Sequence, residues 1–157
     1  MKAKKVLLFL FVMLVVSIFT IIIFNGNVLA QADTKKAKAP SFTIQLKAKD
    51  GKDFYLADDK GMSLYFFKKD SPDKSACAGE CLTKWPVFYV EKIIVPKKLK
   101  KEEFGMITRD DGKKQSTYKG WPLYYFFKDQ KPGDMNGEGF NNIWNAIYPA
   151  KFKPEQK

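Results

Sequence analysis

The ten residues GMSLYFFKKD (61–70) return further along the chain as GWPLYYFFKD (120–129). Gly61, Leu64, Tyr65, Phe67 and Asp70 line up with Gly120, Leu123, Tyr124, Phe126 and Asp129. Each copy follows a turn and precedes a loop containing proline and then a tryptophan, Trp85 in one case and Trp144 in the other. Two units are too few to stack as a solenoid, which needs at least three to bury a continuous core. The duplication therefore predicts one domain of two similar halves packed about a pseudo-twofold axis.

Each copy is bulky on both faces of an extended segment, which predicts a strand covered on each side. Within the Tyr-x4-Asp motif, side chains alternate, so the Tyr and the Asp point to opposite faces. The tyrosine ring is expected in the core, with its hydroxyl seeking a partner at the rim. The Asp, at the strand end, is expected to accept from backbone N–H groups of the next turn. The functional alternative puts the tyrosines on a ligand groove or an electron-transfer face.

The rest of residues 42–150 reads as β structure. Phe42, Ile44 and Leu46 alternate with polar residues, and Lys49-Asp50-Gly51-Lys52 then turns the chain into Phe54-Tyr55-Leu56. Met106-Ile107-Thr108 and Gln115-Ser116-Thr117-Tyr118 flank Asp110-Asp111-Gly112-Lys113, a second hairpin signal. Trp121–Phe127 and Ile143–Tyr148 read as further strands. Helical turns are expected near Trp85, stopped by Pro86, and after Lys97, where a lysine run followed by Glu102 and Glu103 reads as a solvated linker. The expected fold is mainly β: a small antiparallel domain of two related units, about 51–95 and 104–149, with short helical turns. Residues 151–157 read as a basic tail.

Residues 1–30 are of another kind. Lys2, Lys4 and Lys5 precede an apolar run from Val6 to Phe24, and Val28-Leu29-Ala30 fits a signal-peptidase site. The run is long enough that an uncleaved membrane anchor is the alternative. Either way the rest of the chain lies outside the cytoplasm, in the periplasm or the wider extracytoplasmic envelope, secreted or N-terminally anchored. Residues 31–41 read as a flexible tether. The leader holds three of the 28 Lys+Arg and none of the 17 Asp+Glu, so its removal leaves a net charge of +8. Such a field favours an acidic envelope protein or an anionic envelope polymer, and export argues against nucleic acid. Membrane contact is expected only through residues 1–30, if they remain attached.

Histidine is absent. That removes the commonest general base and metal ligand, and with it a Ser-His-Asp or Cys-His catalytic pair. The Asp pairs at 58–59 and 110–111 stand before glycines and read as turn residues, not as the paired carboxylates of a glycosidase. Cys77 and Cys81 are the only cysteines, and in an exported domain such a pair reads as a disulfide. Two alternatives stay open. The pair could hold Cu(I) with a methionine from among Met62, Met106 and Met135, or it could exchange disulfides with a substrate. Trp85, Trp121, Tyr125 and Trp144 form either core or a candidate ligand surface, for a sugar or a haem held by Met, Tyr or Lys.

YLADDKGMSLYFFKKD, CAGECLTKWP (77–86), GMITRDDGKKQSTYKGWPLYYF (105–126) and KPGDMNGEGFNNIW (131–144) resemble the secreted-repeat family of bacterial envelope proteins and lipoproteins marked by the Tyr-x4-Asp motif. The resemblance covers residues 51–149. It implies an exported domain of undefined activity, for which respiratory electron transfer or metal and haem handling is the usual suggestion. Many members look like lipoproteins, whereas this chain lacks the anchoring cysteine near residue 30. The expected function is a non-catalytic envelope binding module without a cofactor or an enzyme site, with service as an accessory to a respiratory or electron-transfer assembly as the role the resemblance suggests. The alternatives are a copper or haem carrier and a thiol-disulfide oxidoreductase.

Overall fold

The structure is a computed structural model that describes residues 42–51 and 53–154. The leader, the tether and residues 155–157 lie outside the described residues. The described part belongs to one compact unit.

The alternation around Ile44 forms β1 (Ile44–Lys49), which pairs antiparallel with β2 (Asp53–Asp58), with Ile44 opposite Asp58 and Lys49 opposite Asp53. The second hairpin is β4 (Phe104–Thr108) on β5 (Lys114–Tyr118). A two-residue turn at Lys119-Gly120 then returns the chain to β6 (Trp121–Pro122), pairing Trp121 with Tyr118. Both turn residues have positive φ, 49° and 81°, the conformation whose twist suits a tight hairpin. At Lys119 a side chain is accepted there despite its strain, while Gly120 also lets Pro72 approach closely.

The two halves meet through the repeated segment. β3 (Tyr65–Phe67) does not pair within its own repeat but with β7 (Trp144–Ala146), Tyr65 opposite Ala146 and Phe67 opposite Trp144. The counterpart bridge, Tyr124 to Val87, also forms. The backbone bonds come in matched pairs. Tyr65 N–H donates to the Tyr124 carbonyl at 2.9 Å, and Tyr124 N–H returns to the Tyr65 carbonyl at 3.0 Å. Phe88 N–H donates to Leu123 at 3.0 Å, and Ile147 N–H to Leu64 at 3.1 Å. Phe127 N–H donates to Lys84 at 2.9 Å, and Lys68 N–H to Ile143 at 2.8 Å. Exchanging each residue for its counterpart maps the set onto itself, the signature of an isologous interface.

Alternation sorts the repeated segments between two apolar clusters. Leu64, Phe66 and Leu123 join one with Ile44, Leu56, Trp121 and Ile147. Tyr65, Phe67, Tyr124 and Phe126 join the other with Cys77, Trp85 and Trp144. This double coverage explains why both segments carry an unbroken apolar run.

The structure moves several expected boundaries. Trp121–Phe127 is not one continuous strand: the chain stays bonded to β5 as far as Leu123, whose N–H donates to Ser116, and pairs from Tyr124 onward with residues 65 and 84–87. The lysine-rich linker is not wholly solvated, because Leu99 inserts into the first cluster just before the 3-10 turn at Lys101–Glu103. Nor are residues 151–154 simply part of a tail. Phe152 is a core residue packed on Phe66 at 5.0 Å, and Lys151 pairs with Asp53 at 2.6 Å.

Candidate functional site

The tyrosines and aspartates of the motif meet crosswise. Tyr65 Oη donates to Asp129 Oδ2 at 2.6 Å, and Tyr124 Oη donates to Asp70 Oδ2 at 2.9 Å. Each Asp turns its other oxygen to its own loop. Asp70 Oδ1 accepts from Ala76 N–H at 2.6 Å, and Asp129 Oδ1 from Asn136 N–H at 2.9 Å and from the Asn136 side-chain amide at 3.1 Å. The expected backbone-capping role of the aspartates holds. The expected rim position of the hydroxyls does not, since both tyrosines are fully buried. The sequence reading also missed that each hydroxyl belongs to the other repeat's carboxylate.

Burial and the adjoining carboxylates hold both phenols protonated. Tyr65 is pushed far above its ordinary value, first by burial and then by its bond to Asp129. Tyr124 is raised by burial and by the charge of Asp70. Burial also pushes the Asp70 carboxyl up to about 6, against the Ala76 N–H, the Tyr124 hydroxyl and Arg109, which all act the other way.

Arg109 completes the surroundings of the Tyr124–Asp70 pair and was not anticipated. Its Nη1 donates to Ser75 Oγ at 2.7 Å and to Gln115 Oε1, and its Nη2 to the Cys77 carbonyl at 2.6 Å. Ser75 Oγ lies 2.6 Å from Tyr124 Oη. The available signal was composition: Arg109 is the only arginine in a chain whose other basic residues are all lysine. A buried, multiply bonded cation is what the planar guanidinium does better than an ammonium.

Between the two Tyr-Asp pairs runs a column of four rings. Phe67 stacks on Trp144 at 4.1 Å and Trp144 on Trp85 at 3.8 Å with planes 4° apart, while Phe126 lies against Trp85 at 4.3 Å, tilted by 33°. The column reads the same from either end, because Trp85 and Trp144 are counterparts, as are Phe67 and Phe126. Tyr65 meets Trp85 edge-on at 5.5 Å, and Tyr124 meets Trp144 at 5.1 Å.

Trp85, Trp121, Tyr125 and Trp144 do not form one ligand surface. Trp85 and Trp144 belong to the column and Trp121 to the other cluster, all three buried. Tyr125 is half-buried and donates to Asp58 Oδ2 at 2.9 Å. They were drawn inward because indole and phenol rings are the largest apolar surfaces this small chain has to bury.

Cys77 and Cys81 are joined as a disulfide, their Cα atoms 5.4 Å apart. The bond closes the entrance to a four-residue helix, α1 (Cys81–Lys84), whose Cys81 carbonyl accepts from Trp85 N–H at 2.9 Å. It thus fixes the loop that delivers Trp85 to the column. The second repeat has Asn136 and Phe140 at these positions and anchors its loop on Asp129 instead. Of the methionines considered as partners for these sulfurs, Met106 is exposed on β4, whereas Met135 packs against the second cluster. Among the described residues, no helix is long and apolar enough to cross a membrane, and no group of three or more Cys, Asp or Glu is arranged to hold a metal ion.

A family model described as a secreted repeat of unknown function matches residues 46–89 and again 105–148, together more than half of the chain. The two matches coincide with the two halves that the crossed pairs lock together. No curated protein and no solved structure matches.

Proposed function

The chain belongs to this family of secreted repeats, and from that premise we propose that it serves as a non-catalytic binding module for an anionic partner in the periplasm or extracytoplasmic envelope. One observation carries the reading. The motif's hydroxyls and carboxylates are bonded to each other and to backbone inside the fold, so a partner meets a lysine-rich surface instead. A net charge of +8 without the leader suits an acidic envelope protein or an anionic envelope polymer. Residues 1–30, if retained, supply the contact with the membrane.

The rival copper, thiol-exchange and tyrosine-ligated haem readings ask for groups that the fold already engages. Joined cysteines offer no thiolate to Cu(I). Cys77 is buried, so disulfide exchange would have to begin at the half-buried Cys81. Tyr65 and Tyr124, protonated and enclosed, are poor haem ligands. Accessory service to an electron-transfer assembly fits the same lysine surface, through an acidic partner face.

The test is binding of the purified exported chain to an acidic polymer and to a neutral one over a range of salt. Affinity for the acidic polymer is expected to fall steeply as salt rises and affinity for the neutral one to be absent. Salt-independent binding, or turnover of a substrate by the isolated protein, contradicts the proposal.

A further inference from the structure

Two of the surface clefts among the described residues carry three or more lysines, and they differ in their carboxylates. The first, beside Lys98, Lys100, Lys119 and Lys151, carries two carboxylates of its own, which pair with two of its four lysines. Asp53 bridges Lys151 at 2.6 Å, and Glu103 lies 3.5 Å from Lys119. The second lies on the face of β3 opposite the Tyr-Asp pairs and has a volume of about 380 Å3. Its floor is Phe66, Trp121 and Ile143, with the Phe66 and Trp121 rings edge to face at 5.8 Å. Its rim is Lys68 and Lys69 from the end of β3, with Lys153 from the last described segment. No carboxylate of the described residues lines it, and none of the three lysines joins an ion pair among them.

That combination selects a ligand class. A bare inorganic anion would satisfy the ammonium groups but leave the cleft's apolar lining, half-buried Ile143 and the edges of Phe66 and Trp121, uncovered. A neutral apolar molecule would cover the apolar lining and gain nothing from the three exposed ammonium groups. The volume is at the small end of ligand sites, room for a head group and a ring or short chain. We propose that this cleft binds an anionic amphiphile, its acid group held among Lys68, Lys69 and Lys153 and its apolar body laid on Phe66, Trp121 and Ile143. This narrows the anionic-partner reading above and rests on it.

The experiment titrates the purified exported chain at low ionic strength with decanoate and with 1-naphthoate, followed by calorimetry and tryptophan fluorescence. Parallel arms use inorganic phosphate and polyglutamate. Two variants with the same loss of charge are compared, K68A/K69A/K153A at the cleft and K92A/K97A/K113A on exposed surface elsewhere. The expected result is saturable binding of both amphiphiles, weakened about tenfold or more by the cleft variant and little by the other. Phosphate or polyglutamate binding as tightly, with the same dependence on the cleft lysines, would make this a simple anion site and overturn the amphiphile. Polyglutamate binding that ignores the cleft variant, with no amphiphile bound, would overturn the cleft and leave the broader reading standing. Failure of every anion to bind would overturn both.

Discussion

At the scale of single residues, the fold depends on two phenol-carboxylate bonds that neither repeat can make alone. In Y65F, Asp129 Oδ2 loses its 2.6 Å donor inside the protein. The expected loss is about 1–3 kcal/mol of stability, read from urea unfolding, since an orphaned buried acceptor costs more than a hydrogen bond gains. Asp70 adds a pH dependence. Its carboxyl titrates near 6 in the folded chain and at its ordinary 3.8 when exposed, so the folded state holds the proton more tightly. The stability it contributes is complete below about pH 4 and is lost as pH climbs through about 6. In D70N the decline of unfolding free energy across that window should be shallower than in the parent; an unchanged slope would show that another group carries it. The backbone-accepting half of each Asp was legible from the Asp-to-turn spacing. The tyrosine half was not, because spacing along a chain carries no information about a partner in the other repeat, and Arg109 announced itself only by being the single arginine.

At the scale of elements, the hairpins were the most legible feature. Alternation and Asp-Gly turns act over a few residues, and β1–β2 and β4–β5 formed where they were expected. The ends of the aromatic strands were less so. Trp121–Phe127 changes partners partway, a consequence of packing that composition does not encode. The loop after the second motif is constrained by a residue that looked like ordinary loop glycine. A Cβ on Gly137 would stand 2.9 Å from both the Trp85 and Tyr65 rings and 3.0 Å from Phe126. G137A should therefore cost about 1–3 kcal/mol by overpacking the ring column, measured by denaturant unfolding. A neutral result would mean that the loop can withdraw from the column freely.

At the scale of the whole molecule, the halves are interlocked and not merely adjacent. β3 finds its ladder partner in the other repeat, so a separated half would leave a strand edge and the faces of Tyr65, Phe67 and Trp85 in water. Fragments 42–95 and 104–154 are each expected to be unstructured by far-ultraviolet circular dichroism, and to recover the β signal when mixed. A fragment that folds alone would show the crossed pairs to be dispensable. The duplication itself was visible from the aligned segments, and a pseudo-twofold arrangement followed; the exchange of partners across the axis was not, since side-by-side halves satisfy the same alignment. The stacked indoles carry a last consequence. Trp85 and Trp144 come from different repeats yet lie 3.8 Å apart with nearly parallel planes, close enough for their electronic transitions to couple. Their shared ultraviolet signal therefore exists only when the halves are joined, which gives the protein a built-in optical gauge of its own assembly.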